Sequence, residues 1–324
     1  MRYIDNLSTE PYFNLASEEY FLKNTEEEYF ILWRNEPCVV VGKNQNTLSE
    51  IDLDFIEKNN VKVVRRQTGG GAVFHDLGNL NYTFIVNDGK SFNDFEKFSI
   101  PIIGALKNLG IKAEFSGRND LTIDGKKFSG TAQCKYKNRV MHHGTLLFSA
   151  DISNLSGALK PKKTKFEGKA VKSVTSRVTN ISEYLEKKIS VLDLKKEIFN
   201  YITENENSAV ITNFTVKEIE EIEKIKNKKY KTWDWNFGKS PNYNFYNECK
   251  FKSGTIELSI KVEDGIMKNV KIHGDFFGVK DISNIEKILE NKPHRKNNIK
   301  EALNGIKINE YFAGIELDEL MNLF

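Results

Sequence analysis

Apolar positions along the chain fall into two patterns, short runs bounded by turn residues and longer stretches that repeat every three or four residues. Tyr29 to Trp33 and Cys38 to Val41 are apolar throughout, and Asn35-Glu36-Pro37 and Gly42 bound them. Runs of that length and composition predict buried strands. Ser8 is placed to cap a helix that carries Tyr12, Leu15, Ala16 and Tyr20, with Pro11 tolerated in the first turn. Ile51, Phe55 and Ile56 predict a short helix leading into a strand at Val61, Val63 and Val64. Tyr82, Phe84 and Val86 predict a further strand. Ile102, Ala105, Leu106 and Leu109 predict a helix capped by Ser99 and closed by Gly110. Asp124-Gly125 marks a two-residue hairpin turn, and Thr145 to Phe148 reads as a strand.

The second half opens on Leu159 to Lys169, rich in lysine, where a solvated loop able to order over a ligand is expected. Amphipathic helices are expected around Leu192 to Ile202 and Lys217 to Ile225. The aromatic cluster Trp233-Asp234-Trp235-Asn236-Phe237-Gly238 then anchors the chain ahead of a boundary rich in Pro and Asn. Past it, alternation at Ile256 to Val262 and Ile266 to Ile272 predicts a hairpin. Ser283 with Glu286 reads as a capping box, and two more short helices follow. The organisation expected is a large domain over 1–243 and a small α/β domain over 248–324, the parts that the resemblance below implies to be catalytic and accessory.

At 324 residues the chain has room for one large core and a smaller one. Its 48 basic and 45 acidic residues leave a formal charge of +3, too balanced for a general nucleic-acid or membrane-surface binder. Cys38, Cys134 and Cys249 lie far apart, which suggests neither a disulfide framework nor a zinc knuckle and fits a reduced cytoplasm. The N-terminus lacks a signal peptide's apolar core, and no run approaches a membrane span. The five histidines form no H-E-x-x-H arrangement, so no protein-ligated catalytic metal is expected.

Candidate chemistry concentrates in Arg65-Arg66-Gln67-Thr68-Gly69-Gly70-Gly71-Ala72-Val73-Phe74-His75-Asp76. Three glycines after a strand let a ligand approach the backbone, and two arginines and a threonine hydroxyl there could converge on a phosphate or carboxylate. The spacing is neither a Walker loop nor G-x-G-x-x-G, and a tight turn with solvent-facing arginines is the plain alternative. Lys127, placed after the Asp124-Gly125 turn, is either an ordinary exposed lysine or a fixed charge suited to activating a carboxylate with ATP. Cys134 is the competing nucleophile, able in principle to carry an acyl group as a thioester. His142-His143 reads as a proton relay or as packed imidazoles. Asp76 and Asp120 read as Mg²⁺ ligands or turn caps.

These motifs taken in order, together with Gly117-Arg118-Asn119-Asp120, Lys127-Phe128-Ser129-Gly130-Thr131-Ala132, His142-His143-Gly144-Thr145-Leu146-Leu147, Ser173 to Asn180 and Trp233 to Gly238, resemble the lipoate–protein ligase A family. The resemblance implies an α+β catalytic domain of the biotin/lipoate ligase type with a mixed, mostly antiparallel sheet, and an accessory tail. It also implies ATP-dependent transfer of lipoate, with Mg²⁺, to apo lipoyl domains of 2-oxoacid dehydrogenase complexes or to glycine-cleavage H protein. Lys127 matches the family's central lysine. Arg66, Gly71, Ala72, Val73, Phe74, Asn79, Asp120, Lys127 and Lys172 match nucleotide positions. Arg66, Thr68, Gly69, Gly70, Gly71, His75, Lys127, Ala132 and His143 match lipoate positions. The segment 168–177 resembles the family's adenylate-binding flap, with Thr175 where arginine is usual and Ala170 where glycine is common. Octanoyl and lipoyl transferases share the loop and the lysine but use a cysteine and lack the tail. They stand as the alternative, beside a non-catalytic lipoate or adenylate binder.

Overall fold

The computed structural model describes residues 1–152, 157–159, 178–204, 209–237, 245–263 and 265–324. Lys172, the expected flap at 168–177 and most of the lysine-rich stretch lie outside them. Fourteen strands are present among the described residues: β1 (Arg2–Asp5), β2 (Tyr29–Trp33), β3 (Cys38–Val41), β4 (Lys62–Arg65), β5 (Val73–His75), β6 (Asn79–Val86), β7 (Ala113–Ser116), β8 (Asp120–Ile123), β9 (Lys126–Tyr136), β10 (Arg139–Leu147), β11 (Ile211–Thr212), β12 (Phe245–Phe251), β13 (Gly254–Glu263) and β14 (Ile266–Gly274). Eight form one sheet in the order β11-β1-β2-β6-β10-β9-β8-β7. A three-stranded sheet, β4-β3-β5, carries the glycine loop between β4 and β5. Only β1·β2, β1·β11 and β3·β4 pair in parallel, so the fold is α+β on a mixed, mostly antiparallel sheet.

The apolar runs became strands because both their faces are covered: every residue of β2 and β3 is buried. One face of the large sheet packs Leu32, Tyr82 and Leu146 against Ile102 and Leu106 of the helix Phe95–Asn108 and Ile198 of the helix Val191–Thr203. The other face meets the helix Pro11–Asn24 and the small sheet, joining Leu15, Trp33, Val40 and Val64. The cavity lies between the two sheets. Asp124 and Gly125 both take positive φ at the β8–β9 turn, as the two-residue hairpin requires.

Three expected caps fall elsewhere. The first helix begins after Glu10, and Ser8 instead accepts the Glu10 N–H in the turn before it. Asp94, not Ser99, caps the helix Phe95–Asn108; Ser99 lies inside it and donates to the Phe95 carbonyl. Ser283 is the first helical residue after Ile282, and Glu286 reaches across to accept the Ile272 N–H and the Lys271 ammonium. In each case a nearer or longer-range partner outcompeted the local signal.

The strands β12-β13-β14 carry their own core, with Ile256, Leu258, Val270 and Ile272 under Ile285, Leu289, Ile299 and Phe312. This unit touches the cavity rim: the Gly274 N–H donates to the Asn44 carbonyl, and Phe277 packs with Phe95 and Ala132. No helix among the described residues is long and apolar enough to cross a membrane.

Candidate active site

The glycine loop uses its three glycines differently. A side chain on Gly69 would collide with the Phe276 carbonyl, a Cβ there falling 2.3 Å from it. Gly70 has φ +92°, a conformation costly for any L side chain. Gly71 meets nothing and lines the cavity.

The two arginines part company. Arg65 points away from the cavity and spends its guanidinium on the carbonyls of Gly42, Lys43, Gln45, Trp235 and Asn236 and on the Thr47 hydroxyl. Where the sequence had both arginines converging on one anion, the donors of Arg65 are taken by protein oxygens and it does not line the cavity. It clasps the Trp235-Asn236 segment to the base of the loop, and the Asn236 side chain accepts the Arg65 N–H in return. Arg66 lines the cavity and donates to the Gly69 and Gly71 carbonyls, fixing the loop's curvature. Burial pulls both guanidinium groups down to about 10, and both remain cationic at neutral pH.

From Arg66 a chain of hydrogen bonds runs under the cavity floor. Arg66 Nε donates to Thr68 Oγ1, Thr68 and His143 Nε2 lie 2.8 Å apart, and His143 Nδ1 lies 2.9 Å from Glu18 Oε1. From the other side Trp33 Nε1 donates to Thr83 Oγ1, which donates to the same Glu18 oxygen. Glu18, 3% exposed, is thus the shared acceptor that ties the glycine loop to β2, β6 and β10. His142, one residue along, faces the opposite side of the sheet and stacks on Phe98, 4.9 Å between centroids. Of this pair, His143 is the one that reaches the site.

At the cavity mouth Lys127 Nζ pairs with Asp120 Oδ1 at 2.7 Å, the side chains 41% and 36% exposed. Beside them Arg118 lies over the Phe277 ring, 4.7 Å from its centroid, and donates to the Ser253 carbonyl. Asp275 also reaches the rim. The cavity encloses about 300 Å³ between this polar mouth and an inner end where the apolar Leu15, Trp33 and Val40 meet His75 and Asn81. A small acid with an apolar tail fits that polarity.

Residues 10–203 match the model of the lipoyl protein ligase A/B catalytic domain. The chain belongs to that family. Residues 240–324 match the bacterial lipoate protein ligase C-terminus. The lipoate-protein ligase LplJ of Bacillus subtilis (strain 168) is 42% identical, covering 100% of this chain and 99% of its own length. The crystal structure of P. falciparum LipL1 in complex with lipoate superposes with a TM-score of 0.83 at 28% identity, covering 99% and 97% of the two chains. A lipoate-protein ligase A structure bound with ATP gives a TM-score of 0.64 at 25% identity, over 74% of this chain and 99% of that one.

Of the residues expected from family resemblance, Arg66, Gly70, Gly71, Ala72, Val73, His75, Asp120, Lys127, Ala132 and His143 line one cavity. Thr68 sits beneath it against His143. The Phe74 side chain turns instead into the core with Val39 and Val41, and Asn79 lies behind Asn81, donating to its Oδ1. Asp76 caps its own turn, accepting from Gly78 and Asp151 N–H groups. The sequence reading missed Trp33, Asn81 and Asp275, which line the cavity, and Glu18, which lies beneath it against His143. A glutamate amid the buried face of the first helix was a usable signal for Glu18; nothing local marks Asp275, which arrives from the C-terminal unit.

Proposed function

We propose that this chain is an ATP-dependent lipoate–protein ligase working in two steps. A lipoate carboxylate oxygen attacks the α-phosphorus of ATP, the bond to the bridging oxygen breaks and pyrophosphate leaves, giving lipoyl-AMP. The neutral amine of an acceptor lysine then attacks the acyl carbon, the C–O bond to AMP breaks, and the amine loses its proton as the amide forms. The observation that carries this reading is Lys127 at the polar mouth of a cavity that runs in to Leu15, Trp33 and Val40, held ready by Asp120. A carboxylate needs no base to attack, so positioning and positive charge are what the protein must supply. Lys127 serves first the carboxylate and α-phosphate, then the acyl oxyanion. Arg66 and the Gly71 to Val73 backbone border the same space from the loop side.

No cluster of three or more His, Cys, Asp or Glu side chains suited to a metal occurs among the described residues. Asp120 is the residue that would hold Mg²⁺ beside the nucleotide, where the ion would offset phosphate charge. The acceptors proposed are apo lipoyl domains of 2-oxoacid dehydrogenase complexes or glycine-cleavage H protein, met in the cytoplasm. We assign 1–243 to catalysis and 248–324 to an accessory unit, a division supported by their separate cores. Against the thioester alternative, Cys134 does not line the cavity, and burial pushes its thiol up to about 12.

The test is the intact mass of an apo lipoyl domain after incubation with the protein, lipoate and Mg²⁺. A lipoyl increment that requires ATP is expected. Unchanged acceptor mass with no pyrophosphate released would overturn the reading.

A further inference from the structure

Two hydrogen-bond donors deep in the cavity have nothing to donate to. His75 and Asn81 both line it and are 3% and 1% exposed, and His75 Nε2 and Asn81 Nδ2 have no partner among the described residues. Their polar neighbours are already committed, Trp33, Thr83, Glu18 and His143 to one another.

The protonation of His75 follows from the amides behind it. Asn14 Nδ2 donates to the Ser8 and Arg34 carbonyls and to Asn35 Oδ1, which leaves Asn35 Nδ2 facing His75 Nδ1 at 3.1 Å. An amide nitrogen only donates, so Nδ1 accepts. Burial, reinforced by Arg66 and His143, holds the ring down to about 3 and therefore neutral. Its single proton then sits on Nε2. On the facing strand, Asn81 Oδ1 takes the Asn79 Nδ2, and Asn81 keeps its own Nδ2 free.

Depth decides what these donors meet. The strands β9, β10, β6 and β2 are consecutive, and Thr145, beside Gly130, pairs with Asn81, which pairs with Trp33. With strands about 4.8 Å apart, Asn81 lies roughly 10 Å from the β9 side where Lys127 stands. An extended eight-carbon acid spans about 9 Å from first to last carbon. With its carboxyl at Lys127, its far end falls between Asn81 on the floor and His75 on the facing sheet, whose ring lies 6.3 Å from that of Trp33.

We propose that His75 Nε2–H and Asn81 Nδ2 are specificity-determining donors that favour an acid with acceptor atoms at its distal end, such as the two dithiolane sulfurs, over a plain alkyl acid of equal length. The inference rests on the ligase reading. An alkyl terminus covers both donors and pairs neither, whereas sulfur lone pairs accept weakly and recover part of that loss.

The experiment measures kcat/KM for acid-dependent pyrophosphate release with lipoate and with octanoate, in the full chain and in Asn81→Leu and His75→Phe. The unaltered protein should prefer lipoate, and each variant should narrow the lipoate-to-octanoate ratio by about five- to tenfold, the size of one weak buried hydrogen bond. Equal losses for both acids, or an unchanged ratio in both folded variants, would overturn the inference; two independent positions guard against one failing to fold. An unaltered protein that uses both acids equally well would overturn the selectivity and leave the ligase standing. If it releases pyrophosphate with neither acid, the ligase reading fails instead, and titration calorimetry of the two acids on the same proteins still decides the selectivity.

Discussion

The two ends of the cavity are built on opposite terms. At the closed end Glu18, Thr68, Thr83, Trp33 and His143 are buried and bonded to one another, so their positions are set before any ligand arrives. At the mouth Lys127 and Asp120 are more than a third exposed and hold each other by one contact. Buried hydrogen bonds in a low-dielectric interior are costly to break, whereas a solvent-screened ion pair exchanges partners readily. The protein is rigid where it measures the acid and adjustable where Lys127 must trade Asp120 for carboxylate and phosphate.

The sharpest way to break this contrast is Lys127→Ala. Loss of a charge-stabilising group should lower lipoate-dependent pyrophosphate release by about a hundredfold or more, with the fold retained because the side chain is half-exposed. Near-normal release would move the chemistry elsewhere.

Acid should act on two buried imidazoles, His75 at the inner end of the cavity and His142 on the opposite face of the sheet. His75, held neutral down to about 3, and His142, held well below its ordinary value, are both buried, whereas the unfolded chain protonates them near 6.5. Between those values the unfolded state binds more protons, so stability falls as pH falls, by roughly 1 kcal/mol per pH unit for His75. Urea midpoints from pH 7 to 4 check this, and a flat profile would contradict the buried neutral imidazoles.

A smaller effect is expected of Glu18→Gln. It keeps the volume and the oxygen that Thr83 and His143 share but sets an amide N–H in place of Oε2, 3.2 Å from His143 Nδ1, and KM for lipoate should rise roughly tenfold with kcat little changed. A fall in kcat alone would mean the network serves the chemistry rather than the fit. Smallest of all, Cys134→Ala should leave ligation within about twofold, since the partly buried thiol packs against the core and lies off the cavity. Complete loss in a folded variant would revive the thioester.

Much of this arrangement was legible before folding. Tyr29 to Trp33 and Cys38 to Val41 became strands with those bounds, and Asp124-Gly125 made its turn, because period, bulk and positive φ are local properties. Helix starts were less legible: Asp94 displaced Ser99, since several residues near a helix end compete for the same N–H groups.

By itself the amino-acid order determined the α+β pattern, the glycine loop and the presence of Lys127, Arg66 and His143 as candidates. Tertiary structure decided which of them meet. Arg65 and Arg66 are neighbours in sequence, yet a strand sends successive side chains to opposite faces, and one clasps the Trp235-Asn236 segment while the other borders the ligand space. Glu18, Asn81 and Asp275 join the site only through packing, because a hydrogen bond or a cavity wall depends on separations across the fold, and spacing along the chain does not carry that information.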